Sequence, residues 1–184
     1  EGIIMKINIG YVLYKRAQLN PDKEALVVGD VRRTWSELNE RSNRAASAMQ
    51  KLGVKKGDRV AILAMNEPEY IELFFALGKI GVIMTPVNHR LAGPEIDYII
   101  NNCEAAVLVF GPEFAEVVDG IRGSIPCKHL VAFGDKAPDW AVRYEDLIQD
   151  GSPEEPELAG GDLDTHTILY TSGTTGRPKG AELT

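Results

Sequence analysis

The 184-residue sequence is poor in the residues that mark zinc, disulfide or membrane chemistry. It has two cysteines, Cys103 and Cys127, in no C-x-x-C pairing, and three scattered histidines, His89, His129 and His166. That spacing argues against a zinc site, and the two thiols read as the reduced cysteines of a cytoplasmic protein. Basic residues are outnumbered 20 to 27, leaving a net charge of -7 and a pI of about 5.0. This balance argues against nucleic acid or an anionic membrane as the main partner, because both repel an acidic surface. Long apolar runs are lacking too. The longest, residues 71–87, is broken by Glu72, Gly78, Lys79 and Gly81, whereas a transmembrane segment needs roughly 20 mostly apolar residues. The start, EGIIMKINIG, has no basic n-region, long apolar core or cleavage site of a signal peptide. Residues 1–8 read as an N-terminal segment, with 1–4 as a tag remnant ahead of Met5. There is no internal repeat and no low-complexity tract.

What is present has a clear rhythm. Asn8 is placed to cap a helix running to Leu19, stopped by Asn20-Pro21. Two β-prone runs flank Gly29-Asp30, a hairpin signal. Thr34 and Glu37 have capping-box spacing, and Leu38, Ser42, Ala45, Met49 and Leu52 follow as a helical stripe that Gly53 ends. Strand-like runs at 59–64, 82–87, 105–110 and 128–133 then alternate with helical segments. These helices open at Asn66-Glu67-Pro68-Glu69, at Gly93-Pro94 and at Pro112. Apolar strands alternating with amphipathic helices predict an α/β fold, with a largely parallel sheet flanked by helices over residues 9–150. Residues 144–149 predict one or two helical turns. Residues 151–164 hold five carboxylates, no basic residue, two prolines and three glycines. They read as an acidic surface linker; their spacing matches no metal-binding loop. Residues 165–184 read as strand, loop and strand.

The loop of that last unit is YTSGTTGRPKG, residues 170–180. Its glycines let backbone N–H groups approach a ligand closely, and successive N–H groups form an anion-binding nest. Thr171, Ser172, Thr174 and Thr175 add hydroxyls able to donate to phosphate or to ligate magnesium. Lys179 adds a point charge, and Pro178 stiffens the approach to it. The sum is a cradle for polyphosphate. It differs from the P-loop GxxxxGK[ST], which puts lysine straight after the last loop glycine and a helix behind it. Here Lys179 comes three residues after Gly176 and is followed by Gly180, which excludes a Walker-type NTPase.

The stretch resembles the signature [ST]-[SG]-G-[ST]-T-G-x-P-K-G of the adenylate-forming (AMP-forming) acyl-CoA synthetase superfamily, and residues 171–180 fill every position. Residues 32–63 resemble the family's first core region, with its aromatic-hydroxyl start and Leu52-Gly53-Val54-x-x-Gly57-Asp58-Arg59-Val60. Residues 73–91 resemble the second. There Pro86-Val87-Asn88-His89-Arg90-Leu91 is similar to the fatty and aryl acyl-CoA synthetases, where peptide-synthetase adenylation domains usually read Pro-Leu-Asp-Pro. The resemblance implies a reaction of ATP with a carboxylic acid to give an acyl-adenylate, then transfer to coenzyme A. It implies that Thr171, Ser172, Gly173, Thr174, Thr175 and Gly176 wrap the β- and γ-phosphates, that Lys179 holds the loop or the leaving group, and that Thr171 contacts Mg2+. Tyr170 reads as a packed strand residue. The family's adenine and ribose motifs, acidic magnesium ligand and catalytic lysine lie beyond this loop. The expectation is therefore an N-terminal third of such an enzyme, with no catalytic residue of its own and inactive alone. The competing readings are a non-catalytic nucleotide- or partner-binding module, or part of a peptide-synthetase adenylation domain. Either way, a sheet short of neighbours predicts self-association or a partner through exposed apolar surface.

Overall fold

The computed structural model describes residues 8–171 and 177–184. A separate antiparallel hairpin is formed by β1 (Glu24–Val28) and β2 (Val31–Thr34). Its Gly29 has φ +56° at the loop position where a type II′ turn requires positive φ. Seven further strands make one sheet: β3 (Arg59–Leu63), β4 (Ile83–Pro86), β5 (Ala105–Phe110), β6 (His129–Ala132), β7 (Val142–Arg143), β8 (Thr167–Thr171) and β9 (Lys179–Leu183). Their order is β7-β6-β5-β3-β4-β8-β9. Every neighbouring pair is parallel except β8 and β9, which are antiparallel.

The helices are α1 (Ile9–Leu19), α2 (Trp35–Lys51), α3 (Pro68–Lys79), α4 (Gly93–Asn102), α5 (Ala115–Ile121) and α6 (Tyr144–Gln149). Local chemistry starts several of them. The Asn8 side chain accepts from the Tyr11 N–H at 2.9 Å. Thr34 and Glu37 form the reciprocal capping box that their spacing predicts. Two starts differ from expectation. Glu67, with no side-chain bond, is the N-cap of α3, so Pro68 and its fixed φ mark the start and Asn66 does not. After Pro112 the first turn is a 3-10 helix (Pro112–Phe114), and the α-helix begins only at Ala115.

Successive residues of a strand point to opposite faces, and here both faces are covered. Val60 and Ile62 of β3 join Met84, Val107, Val109 and Val131 beneath α2 and α3. Ala61 and Leu63 join Leu108, Phe110 and Ala132 beneath α4 and α5. The strands therefore read as unbroken apolar runs.

Two charges that interrupt the longest apolar run are wholly buried. Glu72 accepts from Arg41 Nε at 2.5 Å and from the Tyr144 hydroxyl at 3.2 Å. Lys79 donates to Asn39 Oδ1 at 2.9 Å and pairs with Glu155. A buried charge left unpaired is costly, so these partners are required of the fold. They also fix residues 150–160, which carry no regular secondary structure, against α2 and α3. Asn43 donates to the Pro153 carbonyl at 2.9 Å and Arg44 to the Gly151 carbonyl at 3.1 Å. Gly151 lies so close that an added Cβ would stand 2.1 Å from the Arg44 carbonyl oxygen. Asn8 Nδ2 donates to the Gly160 carbonyl at 3.2 Å. The segment thus delivers β8 to a fixed place beside β4.

Candidate functional site

Strand β8 runs parallel to β4, so the glycine-rich connection leaves the sheet at the end where β4 also ends. It returns as β9, pairing Thr167 with Leu183, Leu169 with Ala181 and, on the last rung, Thr171 with Lys179. Residues directly opposite in an antiparallel pair project to the same face. The Thr171 hydroxyl and the Lys179 ammonium therefore share one face at the mouth of the connection, and both residues are exposed. Of the other predicted site residues, Ser172, Gly173, Thr174, Thr175 and Gly176 lie outside the described residues. The connection joins two strands, as its sequence predicts, where a P-loop would run into a helix.

Gly180 faces Tyr170 across the ladder. A Cβ there would meet Ile168 Cγ2 at 2.7 Å and Tyr170 Cζ at 3.3 Å, so this glycine makes room for the tyrosine ring. The ring packs against the α4 side of the core, and its hydroxyl donates to Asn102 Oδ1 at 2.6 Å. Burial, helped by neighbouring Cys103 and Tyr98, pushes the Tyr170 phenol up to about 12, so it stays a neutral donor. Arg177 lies over the Tyr98 ring, 5.6 Å from its centroid. The family signature leaves position 177 open, so the motif gave no signal for this contact.

The base of β8 is differently built. His166 Nε2 lies 3.3 Å from the Phe74 carbonyl oxygen and Nδ1 2.7 Å from the Thr167 hydroxyl. A carbonyl can only accept, which puts the proton on Nε2 and leaves Nδ1 to accept from Thr167. Burial lowers the His166 pKa, against the opposing bond to Phe74, and keeps the ring neutral at pH 7. A cavity of about 450 Å³ opens here, among Ile9, Val12, Phe74, Val82, His166 and Leu183. Four residues of strand, about 13 Å, separate it from Thr171, so it lies apart from the glycine-rich connection.

Among the described residues no three His, Cys, Asp or Glu side chains converge as a metal site. Thr171, the predicted magnesium contact, is a described residue and is exposed at the end of β8. Both cysteines are free, and no described helix is long and apolar enough to cross a membrane.

Known proteins resemble this chain along nearly all its length. The family described as "AMP-binding enzyme" matches residues 13–184. The long-chain-fatty-acid–CoA ligase FadD13 of Mycobacterium tuberculosis is 37% identical over 177 residues, covering 94% of this chain and 34% of its own length. A feruloyl-CoA synthase from an Amycolatopsis species is 36% identical over 174 residues, covering 92% of this chain and 32% of its own. The structure of the anthranilate CoA ligase AuaEII in complex with anthranoyl-AMP superposes with a TM-score of 0.92 at 28% identity. That match covers 98% of this chain and 35% of the ligase. The chain thus spans about a third of the length of the curated relatives it matches. With the strand-turn-strand signature and the parallel sheet both in place, the chain belongs to the AMP-binding enzyme family.

Proposed function

We propose that the chain is the N-terminal part of an AMP-forming carboxylate–CoA ligase, acting on a fatty or aryl acid. The observation that carries this reading is the last rung of the β8–β9 ladder, which sets Thr171 opposite Lys179 across a glycine-rich connection. In the reaction, a carboxylate oxygen attacks the α-phosphorus of ATP and the bond to pyrophosphate breaks. The thiol of coenzyme A then attacks the acyl carbon and AMP leaves. Charge gathers on the pyrophosphate oxygens in the first step, and fixed donors at that place lower the barrier. Backbone N–H groups and hydroxyls of 171–176 would wrap the β- and γ-phosphates, and Lys179 would hold the loop or the leaving group. Mg2+ is bound by oxygen and keeps much of its coordination from phosphate and water. Thr171 offers one such ligand on this chain. The names of the relatives support the substrate class, one being a ligase of long-chain fatty acids and another a feruloyl-CoA synthase.

Acyl, adenine and coenzyme A contacts belong, on this reading, to the remaining two thirds of the enzyme, and the 184-residue chain alone does not turn over. ATP–pyrophosphate exchange with a panel of carboxylates tests both parts. The chain alone is expected to give no exchange, and turnover would overturn that claim. In the full-length enzyme, Lys179→Ala and Thr174→Ala should each slow exchange by about 10². Wild-type rates in both would remove the phosphate-holding role of the turn. Leu169 and Leu183, exposed on one face of β8 and β9, support the further reading that this face is covered by more protein or a second copy.

A further inference from the structure

The two parts of this chain are fastened differently. Among the described residues, every buried apolar side chain lies at or before Ile148. Beyond that point only Tyr170 packs against the core, as a half-buried ring. Residues 150–160 are held by polar groups instead. Asn39, Asn43, Arg44 and Lys51 lie along one side of α2. They donate in turn to the Glu155 carboxylate at 3.2 Å and to the carbonyls of Pro153, Gly151 and Asp150. The segment therefore runs antiparallel to the helix beneath it. Lys79, the last residue of α3, grips it twice. Its ammonium pairs with Glu155, and its carbonyl accepts from the Ala159 N–H at 3.0 Å.

The strand that follows is lightly joined to the sheet. β8 meets β4 at one register pair, Met84 with Thr167. By contrast, β3 and β5 stay paired from Arg59 and Ala105 to Leu63 and Phe110. β9 pairs with β8 from Thr167 and Leu183 to Thr171 and Lys179, so these two strands form one unit. Among the described residues, β9 has no other strand beside it.

We propose that residues 150–160 are a strap, latched at Lys79, whose release lifts β8 and β9 off β4 together and leaves the β3-centred sheet folded. Polar fastenings are replaced by water on opening, so breaking them costs less than exposing an apolar core. The rung of Thr171 and Lys179 travels with the unit. Strap release withdraws both residues from the end of β4 as a pair, and closure returns them. This holds whatever ligand those two residues meet.

Amide hydrogen exchange of the 184-residue chain, in urea below the unfolding transition, tests the strap through two reporters. Ala159 closes on Lys79, and Met84 donates to the His166 carbonyl at 2.9 Å. Met84 lies in β4, yet that bond is to the segment entering β8. On either side of it, Ile83 closes on Asp58 at 2.8 Å and Val87 on Ile62 at 2.9 Å, toward β3. Ala159 and Met84 should share one opening free energy, with protection at least about tenfold below that of Ile83 and Val87. Glu155→Gln should lower the protection of both reporters by about 30-fold. Ile121→Val trims the core beneath α5. It should lower the protection of Phe133, closed on Phe110, about two- to tenfold, and leave both reporters within about twofold of wild type. Met84 protected like Ile83 and Val87, or Ile121→Val acting equally on all these amides, would overturn the separate opening. Reporters unmoved by Glu155→Gln would remove Lys79 as the latch. The comparison of Met84 with its neighbours needs no variant, so it remains readable if either substitution prevents folding.

Discussion

Replacing Glu155 with glutamine would leave the buried ammonium of Lys79 without its counter-charge while preserving shape. Lys79 has no exposed side-chain surface. Burial lowers its pKa below the ordinary lysine value, and the hydrogen bond and charge of Glu155 pull it partly back. Removing one partner of a fully buried pair costs about 3–5 kcal/mol. Glu155 keeps 26% of its side-chain surface exposed, and Asn39 still accepts one hydrogen bond. Solvent screening on that side brings the expected loss to about 2 kcal/mol. For a chain of this size that is a fall in Tm of roughly 4–8 °C. The sign with pH follows from the depressed pKa. Between the folded value and the unfolded value of about 10.4, the unfolded state binds more protons, so stability rises with pH across that window. The Glu155→Gln loss should therefore be largest near neutral pH and shrink toward pH 10, as Lys79 becomes neutral in the folded state of both proteins. Lys79→Met removes the buried charge itself and leaves the part-exposed Glu155 carboxylate to Asn39 and solvent; it should cost less than Glu155→Gln, because the charge left behind is the one that water reaches. Thermal melts followed by circular dichroism at pH 7 and pH 9.5 would measure all three. Equal losses in the two variants, or a Glu155→Gln loss indifferent to pH, would refute the reasoning.

Two further outcomes follow from packing and burial. In Gly10→Ala the new methyl would lie 2.4 Å from Lys79 Cγ and 2.8 Å from the Lys79 backbone, so α1 must lift from α3; urea denaturation should show a loss of about 1–3 kcal/mol, and wild-type stability would contradict the close approach. Burial pushes the Cys127 thiol up to about 12, which leaves a thiolate fraction of about 10⁻⁴ at pH 8; a thiol reagent should label this part-buried cysteine far more slowly in the folded chain than in urea, and equal rates in the two would contradict the shift.

Much of this molecule was legible because its determinants are local. The Thr34–Glu37 box and the Gly29 turn each lie within a few residues, and the unbroken apolar run of β5 names a strand covered on both faces. Thr171 and Lys179 could be placed at the two ends of one turn for the same reason. What stayed hidden depends on partners far along the chain. Glu72 and Lys79 stood in the sequence only as interruptions of an apolar run, yet the fold buries both against partners 31 to 76 residues away. The acidic composition of 151–164 carried no trace of Lys79, Asn43 or Arg44, which fasten it. Strand β7 is two residues long, too short for any periodicity to announce. Arg177 occupies the open position of its motif, and only the tertiary placement of Tyr98 gives it a partner.

The bond from Asn8 to Gly160 joins residues 152 apart, and so long a span predicts an order of assembly. As the chain is made from its N-terminus, β3 to β6 and the helices between them are complete before Gly160 exists, and such long-range closures come late in folding. Strands β8 and β9 are then laid onto the exposed side of β4 in an already finished sheet. Only at that moment does Asn8 gain its second partner. The two strands that flank the family's signature are thus the last part of the sheet to be laid down, and a chain halted before Gly160 would lack both strands and the signature between them.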